Sequence, residues 1–304
     1  MSDKPLSSQL CRCWLFLPAG DPLKTLLAAA ESPADALIAE FEDFTAPEKR
    51  PAARAQLSKV IEAWRAAGKR TAARINPLSD ADGLRDLEAA MAAGVDVVAL
   101  PKVSMPGHVT QLGEAVGAQE RKLGRPIGST ELLPNIESAA GLVRTIDIVT
   151  ASPRVEAALV ASEDMANDLQ CERGRDGSEL RYVRERFLVE CRAAGIQPID
   201  CPYTWTDLEG VAADSAYARR LGYTSKSAVS LEHAMTIQAA LTPGAEAIEQ
   251  ARLKVRAFEA ARQRGEGRVE VAGSLVEMPI YAEAQRLLKR AALYGLLNDD
   301  DQEE

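Results

Sequence analysis

The sequence predicts an α/β fold, a (β/α)8 TIM barrel followed by a C-terminal helical and hairpin extension. Two observations carry this. Eight short apolar runs of strand length alternate with longer amphipathic stretches of helical period, over the roughly 250 residues that a barrel needs. The runs are apolar at nearly every position, as parallel strands covered on both faces must be. A doubly wound open sheet would show the same alternation, and the count of units favours the barrel.

In chain order the runs are "CWLFLP", "ADALIAEFED", "RTAARINP", "VDVVALPK", "TELLPNIES", "EAALVASED", "GIQPID" and "GYTSKSAV". Between them lie helical patterns such as "LSKVIEAWRAAG", "GLRDLEAAMAAG", "SELRYVRERFLVECRAAG" and "LEGVAADSAYARRLG". These close on Gly68, Gly94, Gly195 and Gly222, where the cap of a helix C-terminus takes a positive φ that glycine adopts without cost. After the eighth unit, "TPGAEAIEQARLKVRAFEAARQRGEG" reads as a long helix, and "RVEVAGSLVEMP" as a hairpin turning at Ala272 and Gly273. A last helix, "IYAEAQRLLKRAALYGLL", follows. The expected division is a disordered N-terminus (1–11), the barrel (12–240), the extension (241–297) and an acidic tail (298–304).

Composition excludes several classes of function. The chain has 304 residues, 46% hydrophobic and 27% charged, as expected of a globular chain with a sizeable core. Its formal charge of -9 argues against a nucleic-acid surface, which needs a positive field, yet leaves room for one phosphorylated ligand held by a few basic side chains. No apolar run approaches the roughly 20 residues of a membrane span, and "MSDKPLSSQL" lacks the order of a signal peptide, so a cytoplasmic protein is expected. The five cysteines, Cys11, Cys13, Cys171, Cys191 and Cys201, show no paired metal spacing and read as reduced thiols.

Barrel sites form at the C-terminal ends of the strands. The residues closing the runs are Gly20 and Asp21, Glu42 and Asp43, Arg74 and Asn76, Lys102, Glu137, Glu163 and Asp164, Asp200, and Lys226. Carboxylates crowded at one mouth repel one another unless a cation or protons neutralise them, and hard oxygen ligands suit Mg²⁺ or Mn²⁺. Glu137 and Asp164, on adjacent strands, form the natural metal pair, although either could instead cap the helix that follows it. Arg74 could clamp a substrate carboxylate bidentately or pair with Glu42 or Asp43 across the barrel. Lys102 as a Schiff-base lysine would need an apolar pocket, which neighbouring carboxylates disfavour. The two histidines, His108 and His233, lie away from any nucleophile elbow, and no GxGxxG or Walker sequence is present.

The ordered set "WLFLPAG", "IAEFEDFTAPEKRPAAR", "RINP", "ALPKV", "NIESAAGL", "SEDMANDL" and "GSLVEMP" resembles the HpcH/HpaI aldolase and citrate lyase β-subunit (CitE-like) superfamily, in its acyl-CoA lyase branch. The resemblance runs from about Arg12 to the final helix. It implies a TIM barrel in which Mg²⁺ holds a keto or hydroxy acid while a carbon-carbon bond to an acyl-CoA breaks or forms. It further implies Glu137 and Asp164 as metal ligands, Arg74 as the carboxylate clamp, and Glu42 and Asp43 as the acidic pair holding metal-bound waters. Asp168 matches a position behind the ligand, and Lys24 a basic residue near the CoA phosphates. Glu277 stands where the family usually has an Asp that reaches across a subunit interface as general acid or base. Leu23 replaces a basic residue, Val229, Ser230 and Leu231 replace "IHP", and Ala161 replaces a glycine. The implied substrates are an acyl-CoA and a 2-keto acid, in a homotrimer or hexamer. Cleavage of citryl-, malyl- or citramalyl-CoA is the expected reaction; a CoA-independent 2-keto acid aldolase and a non-catalytic keto-acid-binding subunit are the alternatives.

Overall fold

The computed structural model describes residues 7–297, which form two compact units dividing between Leu241 and Thr242. In the first, strands and helices alternate: β1 (Cys13–Pro18), α1 (Leu23–Ala28), β2 (Ala36–Glu40), α2 (Arg50–Ala66), β3 (Arg70–Arg74), α3 (Gly83–Ala93), β4 (Val97–Leu100) and α4 (Pro106–Lys122). There follow β5 (Glu131–Ile136), α5 (Ala139–Leu142), α6 (Thr145–Val149), β6 (Ala157–Val160), α7 (Glu163–Asp168), α8 (Arg181–Ala193), β7 (Gln197–Ile199), α9 (Leu208–Leu221), β8 (Lys226–Ala228) and α10 (Leu231–Leu241). All eight strands are parallel, in the order β7-β6-β5-β4-β3-β2-β1-β8, and a bridge between Asp200 and Lys226 brings the two ends together. The expected barrel is therefore observed.

Alternation along each strand divides the core into two layers. Trp14, Phe16, Ala36, Ile38, Ala72, Val97, Ala99, Leu133, Ala157, Leu159 and Ile199 fill the barrel interior, large residues meeting small ones. The intervening positions, such as Leu15, Leu37, Ala73, Val98 and Leu132, pack beneath the helices with Leu57, Val60, Trp64, Leu87 and Val116. Trp64 is fixed in that layer by its indole N–H, which donates to the Leu26 carbonyl at 2.7 Å. At Gly94 and Gly222 the helix caps take φ of 82° and 110°, as the sequence requires.

Two buried ion clusters hold the frame. At the β7/β8 seam, Arg184 donates from Nε and Nη2 to the two oxygens of Asp200 at 2.9 and 2.6 Å, and from Nη1 to Asp214 at 2.7 Å. Lys226, fully buried, reaches Asp200 at 2.7 Å and Asp214 at 2.6 Å. Lys226 thus opens β8 and does not close it, and with Asp200 it serves the seam; the expectation that both belong to the ring of strand-end site residues is corrected. The second cluster joins Glu120, at the end of α4, to Arg154 through paired contacts of 2.8 and 2.7 Å and to the backbone N–H groups of Gly128 and Thr130.

The expectation of disorder through residue 11 also needs correction within the described part. Ser8 and Cys11 are buried, the Ser8 hydroxyl donating to Glu131, so residues 7–11 are anchored to the start of β5. Residues 1–6 and the acidic tail 298–304 lie outside the described residues. The second unit contains α11 (Ala245–Gln263), a hairpin of β9 (Val269–Val271) and β10 (Ser274–Val276), and α12 (Met278–Leu293). Ala272 and Gly273 make the turn at φ 49° and 76°, the pair of positive values a tight hairpin demands. Within this unit the Phe258 and Tyr281 rings lie 4.9 Å apart, and Tyr281 donates to Glu259 at 2.8 Å. Among the described residues no helix is long and apolar enough to cross a membrane.

Both clusters give measurable expectations. Lys226→Met leaves the buried Asp200 and the partly buried Asp214 with one guanidinium between them, and removing one partner of such a group costs about 3–5 kcal/mol. Urea unfolding should show that loss, and an unchanged midpoint would mean that the seam does not depend on the cluster. Glu120 behaves differently with pH: burial disfavours its charge, but Arg154 and the Gly128 and Thr130 N–H groups outweigh this and lower its pKa from 4.5 to about 2. A depressed carboxylate pKa contributes stability above the unfolded value that is lost as pH falls through the folded one. Glu120→Gln should therefore be less stable than the parent at pH 7, with the gap closing between about pH 4.5 and 2 in unfolding curves taken at each pH.

Candidate active site

The C-terminal mouth of the barrel is built around Glu40, the last residue of β2, which faces inward and is fully buried. Its Oε1 accepts the Glu42 N–H at 2.6 Å and its Oε2 accepts the Phe44 N–H at 2.7 Å, so the carboxylate shapes the loop that carries Glu42 and Asp43. The same Oε1 accepts Arg74 Nε at 3.0 Å from the end of β3. Arg74 also lies 3.4 Å from Glu42, and its guanidinium stands over Phe16 at 5.1 Å and Phe44 at 5.5 Å. Burial alone would lower the Arg74 pKa, but Glu40, Glu42 and Glu137 outweigh it and hold the side chain firmly cationic.

Glu137 follows β5 and is buried. Its Oε1 accepts the backbone N–H of Lys102, while its buried Oε2 has no partner. Burial pushes its pKa up to about 8; Asp164 and Glu42 add repulsion, and Arg74 and the Lys102 N–H oppose it. Asp164 lies half-buried in the first turn of α7. Glu42 is also raised, chiefly by burial, although the Lys102 ammonium donates to it, and its Oε2 likewise has no hydrogen-bond partner. The Lys102 ammonium further lies 3.7 Å from Asp43, whose side chain is half exposed.

The loop carrying Lys102 is held in place by close packing. Val103 N–H donates to the Asn135 carbonyl at 3.1 Å, and a Cβ at Gly141 would stand 2.5 Å from the Val103 carbonyl oxygen. Only glycine admits that approach. Ser138 caps α5 by accepting from the Gly141 N–H at 3.2 Å, and Asp168 accepts the Ala139 N–H at 2.7 Å.

The structure thus brings Glu42, Asp43, Arg74, Glu137 and Asp164 to one mouth. Asp168 stands behind it as a brace for the start of α5. Lys24 is exposed in the first turn of α1, and Glu277 is exposed at the N-cap of α12 in the second unit, where its side chain makes no capping hydrogen bond. His108 sits in α4 and His233 is buried in α10. Sequence reasoning missed Glu40 and Asn135. Both face inward near the end of a strand, two positions before Glu42 and Glu137, and the alternation along β2 and β5 was the available signal. Asn135 is fully buried, and neither its Nδ2 nor its Oδ1 has a partner.

Among the described residues no group of three or more His, Cys, Asp or Glu forms a metal cage. A pair of carboxylates with an unpartnered buried oxygen is nonetheless what a Mg²⁺ ion that keeps several waters requires. The donor set is all oxygen, and the surplus of acids over cations at the mouth favours a divalent cation. The residues present therefore fit such an ion.

Comparison with known proteins gives the family. The citrate lyase subunit beta of Escherichia coli is 33% identical over 265 residues, covering 87% of this chain and 88% of that protein. The mitochondrial citramalyl-CoA lyase of Rattus norvegicus is 27% identical, over 92% of this chain and 86% of the relative. Among solved structures, the CitE protein of Mycobacterium tuberculosis in complex with magnesium, acetoacetate and coenzyme A superimposes with a TM-score of 0.73 at 27% identity, covering 92% of this chain and 98% of that one. Residues 12–230 match the HpcH/HpaI aldolase/citrate lyase model, and the chain belongs to that family.

Proposed function

We propose that this chain is a magnesium-dependent carbon-carbon lyase. It would cleave a β-hydroxyacyl-CoA such as citryl-, malyl- or citramalyl-CoA into acetyl-CoA, or another acyl-CoA, and a 2-keto acid, or run the reverse Claisen-type condensation. The observation that carries this reading is the unpartnered, buried Oε2 of Glu137, with Asp164 near enough to raise its pKa and the cationic Arg74 close by. The names of the relatives support it, as do the magnesium and coenzyme A held by the Mycobacterium tuberculosis protein.

Glu137 and Asp164 would hold Mg²⁺, or Mn²⁺ through the same oxygens, and Glu42 and Asp43 would orient the waters that complete its shell. Bound there, a divalent cation supplies Lewis-acid stabilisation of the oxygen that changes between hydroxyl and ketone. Arg74 is oriented by Glu40 through Nε, and its remaining donors can take the substrate carboxylate as a fork. Phe16 and Phe44 against the guanidinium keep water from that side and strengthen the clamp. As the hydroxyl proton passes to water and the carbon-carbon bond breaks, the acyl-CoA would leave as a thioester enolate, whose α-carbon would take a proton from Glu277 or from a water it positions. Lys24 would meet the CoA phosphates. Glu277 contributed by a neighbouring subunit requires an oligomer, for which a homotrimer or hexamer is proposed, in the cytoplasm.

A CoA-independent aldolase is the second reading, favoured by Leu23 standing beside Lys24 where a second cation would serve phosphates. Thermal-shift titration separates the two. A ligand at about 100 times its Kd adds about 2.7 kcal/mol to the native state. The lyase is expected to be stabilised by Mg²⁺ with one of pyruvate, glyoxylate or oxaloacetate, further by acetyl-CoA, and neither effect should survive in Glu137→Gln or Asp164→Asn. Stabilisation indifferent to acetyl-CoA would support the aldolase. Binding of metal and keto acid without turnover of any acyl-CoA or aldol substrate would point to a non-catalytic subunit, and a full response in the two variants would remove the metal assignment.

A further inference from the structure

Lys102 is one of three non-glycine residues with positive φ among those described, at 55°. The other two lie at the end of a helix and in the hairpin turn, where such values are ordinary. Lys102 instead ends the β4 run inside the mouth, and no tight turn between paired strands accounts for it. An unusual backbone conformation at a site is evidence from which a role can be argued, provided its geometric product is identified.

Here the product is specific. The Lys102 N–H donates to Glu137 Oε1, which leaves Oε2 as the free oxygen, and the left-handed φ lets the side chain and the rest of the loop reach their own partners while that bond is kept. The neighbouring residue then sews the loop to β5 through the Val103 N–H and the Asn135 carbonyl, and its own carbonyl is pressed against Gly141. The side chain turns the other way, its ammonium held by Glu42 and near Asp43. One residue therefore ties the ends of β2, β4 and β5 together. A carboxylate fixed through one oxygen by a rigid donor presents its second oxygen in one direction, which is what a metal ligand needs from the shell around it.

Resting on the reading of Glu137 as a metal ligand, we infer that Lys102 is the positioning residue for that ligand. It acts through its left-handed backbone N–H and not through its charge. The dependence is on conformation, so substitutions separate by their tolerance of positive φ. Lys102→Gly keeps the N–H and adopts φ > 0 freely. Lys102→Met removes only the charge. Lys102→Val, β-branched, is an outlier there, so the loop has to shift and carries the N–H off Glu137.

The test is the Kd of the purified full-length protein for Mg²⁺ alone, by isothermal titration calorimetry, with the unfolding midpoint measured alongside. Lys102→Gly should bind Mg²⁺ within about threefold of the parent, and Lys102→Met no more weakly than the parent, since a competing positive charge is gone. Lys102→Val should lose at least about tenfold, and the Gly reversion at the same position is the rescue. Should Lys102→Val fail to fold, Gly141→Ala displaces the Val103 carbonyl without touching Lys102 and should weaken Mg²⁺ binding alike. Equal Mg²⁺ affinity in Lys102→Val and the parent, or in Gly141→Ala where that variant has to stand in, would overturn the inference even if the unfolding midpoint fell, because a purely structural role moves stability and not the metal Kd. No Mg²⁺ binding by the parent would overturn the metal reading itself, and this inference with it.

Discussion

Closure of the barrel is the constraint on which the site depends. Seven of the strand pairings are ladders, but β7 and β8 meet at a single bridge of two backbone hydrogen bonds, which the charges of Arg184, Asp200, Asp214 and Lys226 reinforce. The group carries two charges of each sign, so it is balanced and hydrogen-bonded, which is the condition under which buried ions are tolerated. Its value lies in direction: Arg184 from α8 and Asp214 from α9 meet each other, and between them they also hold Asp200 after β7 and Lys226 at the start of β8. Without that seam β8 has only β1 as a neighbour, and the strand ends no longer form a ring.

The opposite arc of the mouth has a different electrostatic character. Glu40, Glu42, Asp43, Glu137 and Asp164 outnumber Arg74 and Lys102, and of the buried acids Glu42 and Glu137 each keep an oxygen without a hydrogen-bond partner. Glu40 is matched by Arg74 and two backbone N–H groups, so it belongs to the frame. Glu137 is matched only on one oxygen. A pKa pushed up to about 8 expresses the cost of leaving a carboxylate there without a cation, and the same cost becomes affinity when a cation is supplied. The mouth thus keeps its scaffold neutral and leaves its unbalanced charge where a ligand can meet it.

How much of this was legible in the sequence follows from what each feature depends on. The strands were legible because a strand buried on both faces must be apolar throughout, and "VDVVALPK" and "TELLPNIES" leave little choice. Glu42, Arg74, Glu137 and Asp164 were legible because a charge at the end of such a run needs a reason. Lys226 was misplaced because β8 is only three residues long and begins with the charge, so the run gave no apolar stretch to mark its start. Residues 7–11 bury a serine and a cysteine through partners more than a hundred residues away, which no local pattern encodes. The left-handed Lys102 was illegible for the same kind of reason, since nothing in "ALPKV" distinguishes it from an ordinary loop lysine.

The commitments of the mouth also bear on where the proton in the proposed reaction comes from. Glu40 and Glu42 are held by Arg74 and Lys102, and in the proposed function Glu137 and Asp164 go to the cation. An acid bound to a metal or to a guanidinium is a poor proton donor, because its partner stabilises the ionised form. His233 is buried in α10 beside Tyr203, their rings 6.0 Å apart, and His108 takes the Ser104 N–H at 3.4 Å, so neither imidazole stands among the mouth acids. Under the proposed chemistry the donor is better supplied by a group with no such obligation. Glu277 has that property: it is exposed, it begins a helix without spending its carboxyl on the cap, and it belongs to the unit that does not carry the metal-side acids. Separating the group that protonates carbon from the groups that hold the cation leaves each free for one task.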